Sequence, residues 1–370
     1  MIVGVPAEIK PDEYRVAMTP AGVREVIAHG HRVVVGEDAG VGSSFGDDAY
    51  RVVGAEILPG AEDIFAAADL IVKVKEPQPV EIDMLEPRHV LFTYLHLAAY
   101  PAQGDGLIAS GSTAIAYETV QLSNGSLPLL APMSEVAGRL ATQAGAHHLE
   151  RPHGGKGVLI GGVPGVQPAK VVVLGAGMAG TNAAAIAAGM GAHVAILDIN
   201  VDRLRHLDEL SWGRIVTVRS SLHAIEEMVT GADLVVGAVL IPGARAPVVV
   251  GEEIVAAMRP GSVIVDISID QGGCIATARE TTHQDPVYEE HGVVHYCVGN
   301  IPGAVPNTAT YALSNATLPY VLALTDGVPE ALDRYPELIG GVNVVAGAVT
   351  HEAVARSLEK DFVDPAKAIS

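Results

Sequence analysis

Residues 170–198 read KVVVLGAGMAGTNAAAIAAGMGAHVAILD, and this stretch decides the fold. The apolar run Val171–Leu174 predicts a buried strand, the small residues of Met178–Met190 predict a helix, and His193–Leu197 predicts a second strand. No Asp, Glu, Lys or Arg interrupts residues 171–197, but a membrane span is disfavoured because glycines, an asparagine and a histidine divide the segment. Strand, glycine turn, helix and second strand together are typical of a dinucleotide-binding βαβ unit.

The glycine turn has the pattern GxGxxG, and an acidic residue, Asp198, follows the second strand 23 positions after Gly175. Gly175 permits the tight turn, Gly177 lets the backbone approach a pyrophosphate, and Gly180 lets the helix lie close to the sheet. A carboxylate at Asp198 would accept hydrogen bonds from the ribose hydroxyls and repel a 2′-phosphate, which favours NAD over NADP. The alternative is a glycine-rich turn in which Asp198 is only a helix N-cap.

Short apolar runs separated by helical segments continue on both sides of this unit. Downstream runs at 215–218, 234–240, 262–267 and 293–298 predict further strands. Upstream runs at 2–5, 32–35, 70–74, 90–95 and 113–117 predict strands, and residues 20–29 and 61–68 predict helices, the first capped by Thr19. Because the runs do not alternate with polar residues, they indicate parallel sheets covered on both faces. The predicted fold class is α/β with two doubly wound domains, the second a Rossmann dinucleotide-binding domain.

The remaining segments carry weaker signals. Residues 121–130 predict a small hairpin around Asn124-Gly125, 133–149 a long helix, 154–168 a loop and 311–324 another helix. The last 70 residues either cap the second domain or return to the first, and patterning alone leaves both possibilities open.

Composition narrows the functional classes. The 370 residues include 43 acidic and 23 basic side chains, a net charge of −20, with 49% hydrophobic residues. A chain this negative, without a dense basic stretch, is not expected to bind nucleic acid or an anionic membrane surface. Two cysteines and an N-terminus without signal-peptide character predict a reducing, cytoplasmic location.

Polar residues follow several of the predicted strands, where doubly wound folds bind their ligands. Arg15, Lys75 and His96 come from the first domain, and Asp270 and Asn300 come from the second. Two cations, an imidazole and a carboxylate suit a small anionic substrate that undergoes hydride transfer coupled to a proton step. Each residue also has a plain alternative: surface charges, a hydrogen-bonded core histidine, or an Asx turn.

At these residues the chain resembles the NAD-dependent L-alanine dehydrogenases, which share their fold with the NAD-binding subunit of proton-translocating transhydrogenase. The resemblance covers nearly the whole chain. It is carried by EIK at 8–10, EYRVA at 13–17, KVKEP at 73–77, FTYLHLA at 92–98, APMSEVAGR at 131–139, DISIDQGG at 266–273, HYCVGNIPGAVP at 295–306 and ALSNATLPY at 312–320. Asn307 departs from the pattern, since a basic residue is expected there.

The resemblance implies roles for particular residues. Arg15 and Lys75 would bind the substrate carboxylate, His96 would be the acid/base, and Asp270 would be the second catalytic residue. Tyr94, Leu130 and Met133 would line a tight pocket for the alanine side chain. The implied cofactor contacts are Ser134, Gly175, Gly177, Gly180, Asp198, Arg203, Ser220, Val239, Leu240, Ile267, Asp270, Val298, Asn300 and Ile301. An unperturbed His96 pKa near 6.5 would suit proton transfer.

The resemblance further implies a substrate domain of residues 1–128 plus 308–370, an NAD-binding domain of residues 129–307, and an active site in the cleft between them. It implies oxidative deamination of L-alanine to pyruvate and ammonium, the reverse reductive amination, a role in L-alanine catabolism, and a homohexamer. Two alternatives remain: a transhydrogenase NAD-binding subunit, and a non-catalytic NAD-binding protein. No metal site is expected, because the adjacent residues His147 and His148 would point apart on a helix and no HExxH motif is present.

Overall fold

The computed structural model describes residues 1–239 and 245–369, which form two compact units. The first unit comprises Met1–Met133 and the described residues from Val305 onward, and the second comprises Ser134–Ala304. The predicted boundaries, after residue 128 and before residue 308, lie within a few residues of these positions. Among the described residues, no helix combines the length and the apolar character needed to cross a membrane.

Strands and helices alternate along most of the chain. The strands are β1 (Ile2–Val5), β2 (Arg32–Gly36), β3 (Glu56–Leu58), β4 (Leu70–Val72), β5 (Val90–Thr93), β6 (Thr113–Ala116), β7 (Lys170–Leu174), β8 (His193–Asp198), β9 (Ile215–Arg219), β10 (Leu234–Gly237), β11 (Val263–Asp266), β12 (Val287–Glu290), β13 (Val293–Tyr296), β14 (Val342–Val345) and β15 (Ala348–Val349). The helices are α1 (Pro20–Ala28), α2 (Asp47–Val52), α3 (Ala61–Ala67), α4 (Pro79–Ile82), α5 (Pro101–Ser110), α6 (Ala131–His148), α7 (Met178–Gly189), α8 (Val201–Ser211), α9 (Leu222–Thr230), α10 (Glu252–Ala256), α11 (Pro306–Leu324), α12 (Val328–Arg334), α13 (Glu352–Ser357) and α14 (Pro365–Ala368).

The sheet of the first unit has the order β15-β14-β6-β5-β4-β1-β2-β3 among the described residues. The strands β1 to β6 all pair in parallel, whereas β14 runs antiparallel to β6, and β15 runs antiparallel to β14. Central residues such as Val3, Ile71 and Leu91 are fully buried, as expected for strands covered on both faces. The predicted Thr19 cap of α1 is confirmed, since its side chain accepts the backbone N–H of Gly22.

The second unit has the sheet order β12-β13-β11-β10-β7-β8-β9, and in its described part only β12 is antiparallel to its neighbour. The prediction of a doubly wound Rossmann domain is confirmed. The predicted strand 262–267 ends one residue early, because the Asp266 carboxylate accepts the N–H of Ser268 and turns the chain into a 3₁₀ helix, Ile267–Gln271.

Two segments outside the parallel strands test expectations drawn from the sequence. The hairpin predicted for residues 121–130 is wrong, because no strand forms in this described segment. Two turns form instead: one is closed by hydrogen bonds between Leu122 and residues 125 and 126, and the other by the N–H of Leu130 donating to the carbonyl of Leu127. The C-terminal residues return to the first unit, where Thr310 and Ser314 on α11 accept the backbone N–H groups of Val16 and Thr19.

Candidate active site

The first unit gathers its polar site residues at the carboxyl ends of neighbouring parallel strands. Arg15 follows β1, Lys75 follows β4 and His96 follows β5, and these three strands are adjacent in the sheet. Arg15 and Lys75 are only 2% and 8% exposed. Burial of a cation is costly without an anionic partner. Arg15 has such a partner in Glu13, whereas Lys75 forms no ion pair among the described residues, so the charge of Lys75 suits a bound negative group.

Arg15 is oriented by a buried carboxylate. Its Nε and Nη2 atoms donate to Oε1 and Oε2 of Glu13 at 2.7 and 2.5 Å, a bidentate pair. Its Nη1 atom lies 3.0 Å from the sulfur of Met133, which is a weak acceptor. The structure therefore brings Met133, predicted to line the substrate pocket, into direct contact with the predicted carboxylate-binding arginine.

Lys75 stands beside a second buried cation that the sequence analysis did not interpret. Lys73 is fully buried and pairs with Glu8 at 3.0 Å and Glu81 at 2.8 Å. Glu8 also accepts the backbone N–H of Val74 at 2.6 Å, which fixes the segment that carries Lys75. Lys73 thus has a structural role, while Lys75 contributes its charge to the surroundings of His96.

The backbone of His96 has a left-handed conformation, with φ of +49°. The carboxylate of Glu118 accepts the N–H of His96 at 2.6 Å and that of Leu95 at 3.2 Å. The imidazole stacks on the ring of Tyr94, with centroids 5.7 Å apart and planes 6° apart. Tyr94 in turn donates its hydroxyl to the carbonyl of Leu129 at 2.6 Å, so the histidine ring is oriented from two sides.

The expectation of an unperturbed His96 pKa near 6.5 is wrong. Partial burial, followed by the charges of Lys75, Lys10 and Arg15, lowers the pKa of His96 well below its usual value. The imidazole is therefore neutral near pH 7 and able to accept a proton. Leu130, the third predicted pocket residue, is half-buried, and its carbonyl accepts the N–H of Met133.

In the glycine loop of the second unit, packing requires two of the three glycines. Gly175 has φ of +101°, and a Cβ there would lie 2.5 Å from the carbonyl oxygen of Ala238. A Cβ at Gly180 would lie 1.8 Å from the carbonyl oxygen of Gly175, so this glycine allows α7 to pack on β7. A Cβ at Gly177 would meet no atom of the described residues within 4 Å. Gly177 is therefore not required by packing, and it borders open space at the N-terminus of α7.

Asp198 ends β8 and is buried, at 8% exposure. Its Oδ2 accepts the N–H of Ala176 in the glycine loop at 2.6 Å, and its Oδ1 accepts that of Asn200 at 2.7 Å. Asn200, not Asp198, caps α8 by accepting two N–H groups of its first turn, so the N-cap interpretation of Asp198 is wrong. The Nη1 atom of Arg203 lies 3.9 Å from the Asp198 carboxylate.

The other predicted cofactor residues of this unit also follow strand ends. Ser220 comes after β9 and donates its N–H to the carbonyl of Asp198, and Val239 comes after β10. The remaining ones are Ile267 after β11, Val298, Asn300 and Ile301 after β13, and Ser134 in the first turns of α6. Leu240 lies outside the described residues. Together with the glycine loop and Asp198, and apart from Ser134, these positions follow the carboxyl ends of the six parallel strands β13, β11, β10, β7, β8 and β9. This edge of the sheet is where the fold binds ligands.

Asp270 is exposed on the 3₁₀ helix after β11, and its Oδ1 accepts the N–H of Asn300 at 3.1 Å. This segment is anchored by Asp266, which the sequence analysis did not single out. Asp266 is fully buried and accepts the N–H groups of Ser268 and Cys274 at 2.9 and 2.8 Å. Only its position at the end of an apolar strand could have marked it as a candidate.

The two cysteines are packing residues. Both are fully buried and unbridged. Burial raises the pKa of Cys274 well above its usual value and that of Cys297 to about 12. Thiols in this state are poor nucleophiles, so a thiol-based reaction is disfavoured.

Comparison with known proteins accounts for this arrangement. The family described as Alanine dehydrogenase/PNT, N-terminal domain, matches residues 4–137, and Alanine dehydrogenase/PNT, C-terminal domain, matches residues 141–352. The chain belongs to the alanine dehydrogenase/PNT family. The resemblance inferred from the sequence is therefore confirmed.

Similar proteins match over their full length. The alanine dehydrogenase of Mycolicibacterium smegmatis is 54% identical, with 99% of each chain covered, and that of Methanococcus maripaludis is 52% identical, with 100% of each covered. A solved L-alanine dehydrogenase superimposes with a TM-score of 0.93 at 51% identity, covering 97% of this chain and 99% of that one. A transhydrogenase structure from Sinorhizobium meliloti gives 0.81 at 26% identity, covering 95% and 100%.

Proposed function

We propose that this chain is an NAD-dependent alanine dehydrogenase. It converts L-alanine, NAD⁺ and water to pyruvate, ammonium, NADH and a proton, and catalyses the reverse reductive amination. The observation that carries the proposal is the cluster of buried Arg15, buried Lys75 and neutral His96 at three adjacent strand ends. It occurs in a chain more than half identical to alanine dehydrogenases over its whole length.

NAD fits the second unit by the chemistry of the loop that would hold it. Gly177 leaves room for a pyrophosphate. Within residues 1–239 and 245–369, no side chain caps the N–H groups at the N-terminus of α7, and such N–H groups suit phosphate oxygens. The Asp198 carboxylate is the proposed partner of the ribose hydroxyls. When bound, NAD supplies the hydride acceptor for the reaction.

Arg15 and Lys75 have the proposed task of binding the substrate carboxylate. A carboxylate oxygen would replace the weak sulfur acceptor of Met133 at Nη1 of Arg15 with a charge-assisted hydrogen bond. Such bonds are worth about 1.5–3 kcal/mol each. The ring of Tyr94, stacked on His96, and the side chain of Met133 would limit the space left for the substrate's own side chain.

His96 has the proposed role of general base. As a neutral imidazole it can accept a proton from the water that attacks the imine of the oxidised substrate, and it can return that proton to the departing ammonia. Asp270 is proposed to orient the substrate amine or the attacking water.

The decisive experiment is a screen of the purified protein with L-amino acids and either NAD or NADP, monitored by NADH absorbance. The proposal expects turnover with L-alanine and NAD alone, and with pyruvate, ammonium and NADH in reverse. A transhydrogenase subunit would need partner proteins for its reaction, so absence of alanine-dependent NADH formation in the isolated protein would favour that alternative. NADH binding without turnover of any amino acid would favour a non-catalytic NAD-binding protein.

A homohexamer, a cytoplasmic location and a role in L-alanine catabolism complete the proposal. The hexamer rests on the family resemblance, and light scattering of the purified protein tests it. The location is supported by the two unbridged cysteines, and cell fractionation tests it. Growth of a deletion strain on L-alanine as the nitrogen source tests the catabolic role.

A further inference from the structure

We propose that His147, Glu150 and His153 form a binding site for a divalent transition-metal ion of the zinc type. The ligand atoms of these three exposed side chains all lie within 4.8 Å of one another. The Nε2 atom of His153 is 3.7 Å from Oε2 of Glu150, and the rings of His147 and His153 have centroids 3.8 Å apart. No metal site is predicted from the sequence, where His147 stands next to His148 and the spacing of His147, Glu150 and His153 matches no HExxH motif.

Local backbone geometry brings the three residues to one face. The N–H of Glu150 donates to the carbonyl of His147, and the N–H of His153 donates to that of Glu150. In such successive three-residue turns, side chains three positions apart eclipse one another. The end of α6 and the 3₁₀ helix Arg151–His153 therefore stack an imidazole, a carboxylate and a second imidazole.

The distances suit an ion of zinc's size. Tetrahedral coordination with bonds of about 2.1 Å places ligand atoms about 3.4 Å apart. The Glu150–His153 separation of 3.7 Å is close to this value. The other separations, at most 4.8 Å, need only small side-chain rotations. Because all three side chains are exposed, such rotations meet little resistance.

A second observation concerns His148, whose ring lies next to the proposed ligands. His148 is only 8% exposed, and among the described residues its Nδ1 atom has no hydrogen-bond partner. Its ring centroid lies 5.1 Å from that of His147 and 6.2 Å from that of His153. Buried polar atoms are normally partnered, so His148 adds a third imidazole, with one unsatisfied nitrogen, next to the three proposed ligands.

The donor set selects the class of ion. Two imidazoles and one carboxylate suit zinc and its neighbours, with a fourth position open to water, whereas magnesium and calcium prefer oxygen ligands throughout. In the described part of the chain, Glu150 pairs with His153 and with no lysine or arginine, so its negative charge is not already compensated by a fixed cation.

Zinc binding to the full-length protein without a histidine tag tests the proposal, by isothermal titration calorimetry. The matched control is His291→Ala. His291 lies 2.9 Å from Glu252 and 3.9 Å from Glu290, so it is another place where an imidazole and carboxylates could bind zinc. We expect one zinc ion per chain in the wild type and in His291→Ala. His153→Ala should bind zinc about tenfold more weakly or worse, a loss of about 1.4 kcal/mol or more.

Two further measurements keep the test independent of folding and of the catalytic proposal. Zinc should raise the Tm of the wild type by mass action but not that of His153→Ala, whose circular dichroism should match the wild type. Excess magnesium should not displace zinc. Equal zinc affinity in the wild type and in His153→Ala, loss of binding in His291→Ala alone, or no zinc binding by the wild type would each overturn the proposal.

Discussion

The carboxylate of Glu118, which follows β6, accepts the backbone N–H of His96, which follows β5, at 2.6 Å. The same carboxylate accepts the N–H of Leu95, and together these bonds hold His96 at a φ of +49° that non-glycine residues rarely adopt. Glu118 is thus a positioning residue: it acts on the proposed base through the backbone rather than by contact with substrate.

Removal of this carboxylate should impair catalysis more than substrate binding. Glu118→Ala loses both hydrogen bonds, so we expect kcat for alanine to fall about 10²-fold, since a displacement of about 1 Å at a reacting group costs that much. Glu118→Gln keeps one acceptor oxygen and should recover much of the rate. Steady-state kcat and KM of both variants measure the effect. If Gln is as damaging as Ala, the charge of Glu118 matters rather than its hydrogen bonds.

Substitution of His96 should separate catalysis from cofactor binding. His96→Ala removes the proposed base, and we expect turnover of alanine to be abolished while NADH affinity stays close to that of the wild type. The reason is that His96 belongs to the first unit, whereas the proposed NAD-binding residues all belong to the second. NADH fluorescence titration measures the cofactor affinity, and the rate assay measures the turnover of alanine. A kcat near the wild-type value would remove His96 from the mechanism.

The lowered pKa of His96 sets the acid side of the rate profile. The neutral imidazole is the active form of a base, and it protonates only when the pH falls through a pKa well below 6.5. We therefore expect kcat/KM for alanine to show no His96-dependent loss between pH 7.5 and about 6.5. In Lys10→Met one of the charges that lower this pKa is removed, so the loss should begin at higher pH. If kcat/KM falls at the same acidic pH in the wild type and in Lys10→Met, this account is contradicted.

The glycine loop provides a matched pair of substitutions. Gly180→Ala drives a methyl group into the carbonyl of Gly175, and we expect a free energy of unfolding lower by about 1–3 kcal/mol. The added methyl group of Gly177→Ala meets no atom in the part of the chain that the structure describes, so its stability should match the wild type while its NADH affinity falls. Denaturant unfolding and NADH titration measure the two quantities. Unchanged NADH binding in Gly177→Ala would place the pyrophosphate elsewhere.

Cofactor preference should depend on Asp198. Asp198→Ala removes the carboxylate proposed to bind the ribose and repel a 2′-phosphate, so NAD should bind more weakly and discrimination against NADP should relax. The exposed neighbour Asp202, which pairs with Arg205, is the control: Asp202→Ala should keep the wild-type preference. Cofactor preference is measured as the ratio of kcat/KM for NAD to kcat/KM for NADP. An unchanged ratio in Asp198→Ala would contradict the proposed role.

Local patterns in the sequence determined the elements and the class of fold. Apolar runs and small-residue helices are short-range signals, so most of the predicted strands and the glycine turn with Asp198 lie where they were predicted. The hairpin at 121–130 failed because a turn signal such as Asn124-Gly125 specifies a turn and does not supply strands to pair. Positions after predicted strands selected Arg15, Lys75, His96, Asp270 and Asn300 as candidates. The family resemblance then added their individual roles and the remaining candidate residues.

Tertiary structure alone decided the surroundings of those residues. The pairing of β14 with β6, the ion cluster around Lys73, and the contact of Glu118 with His96 join segments that are far apart or unmarked in sequence. The same holds for charge states: an imidazole takes its pKa from burial and from cations on other strands, which composition does not reveal. Sequence determined which groups the protein has, and folding decided which of them meet, because electrostatic and hydrogen-bonding effects depend on distance in space.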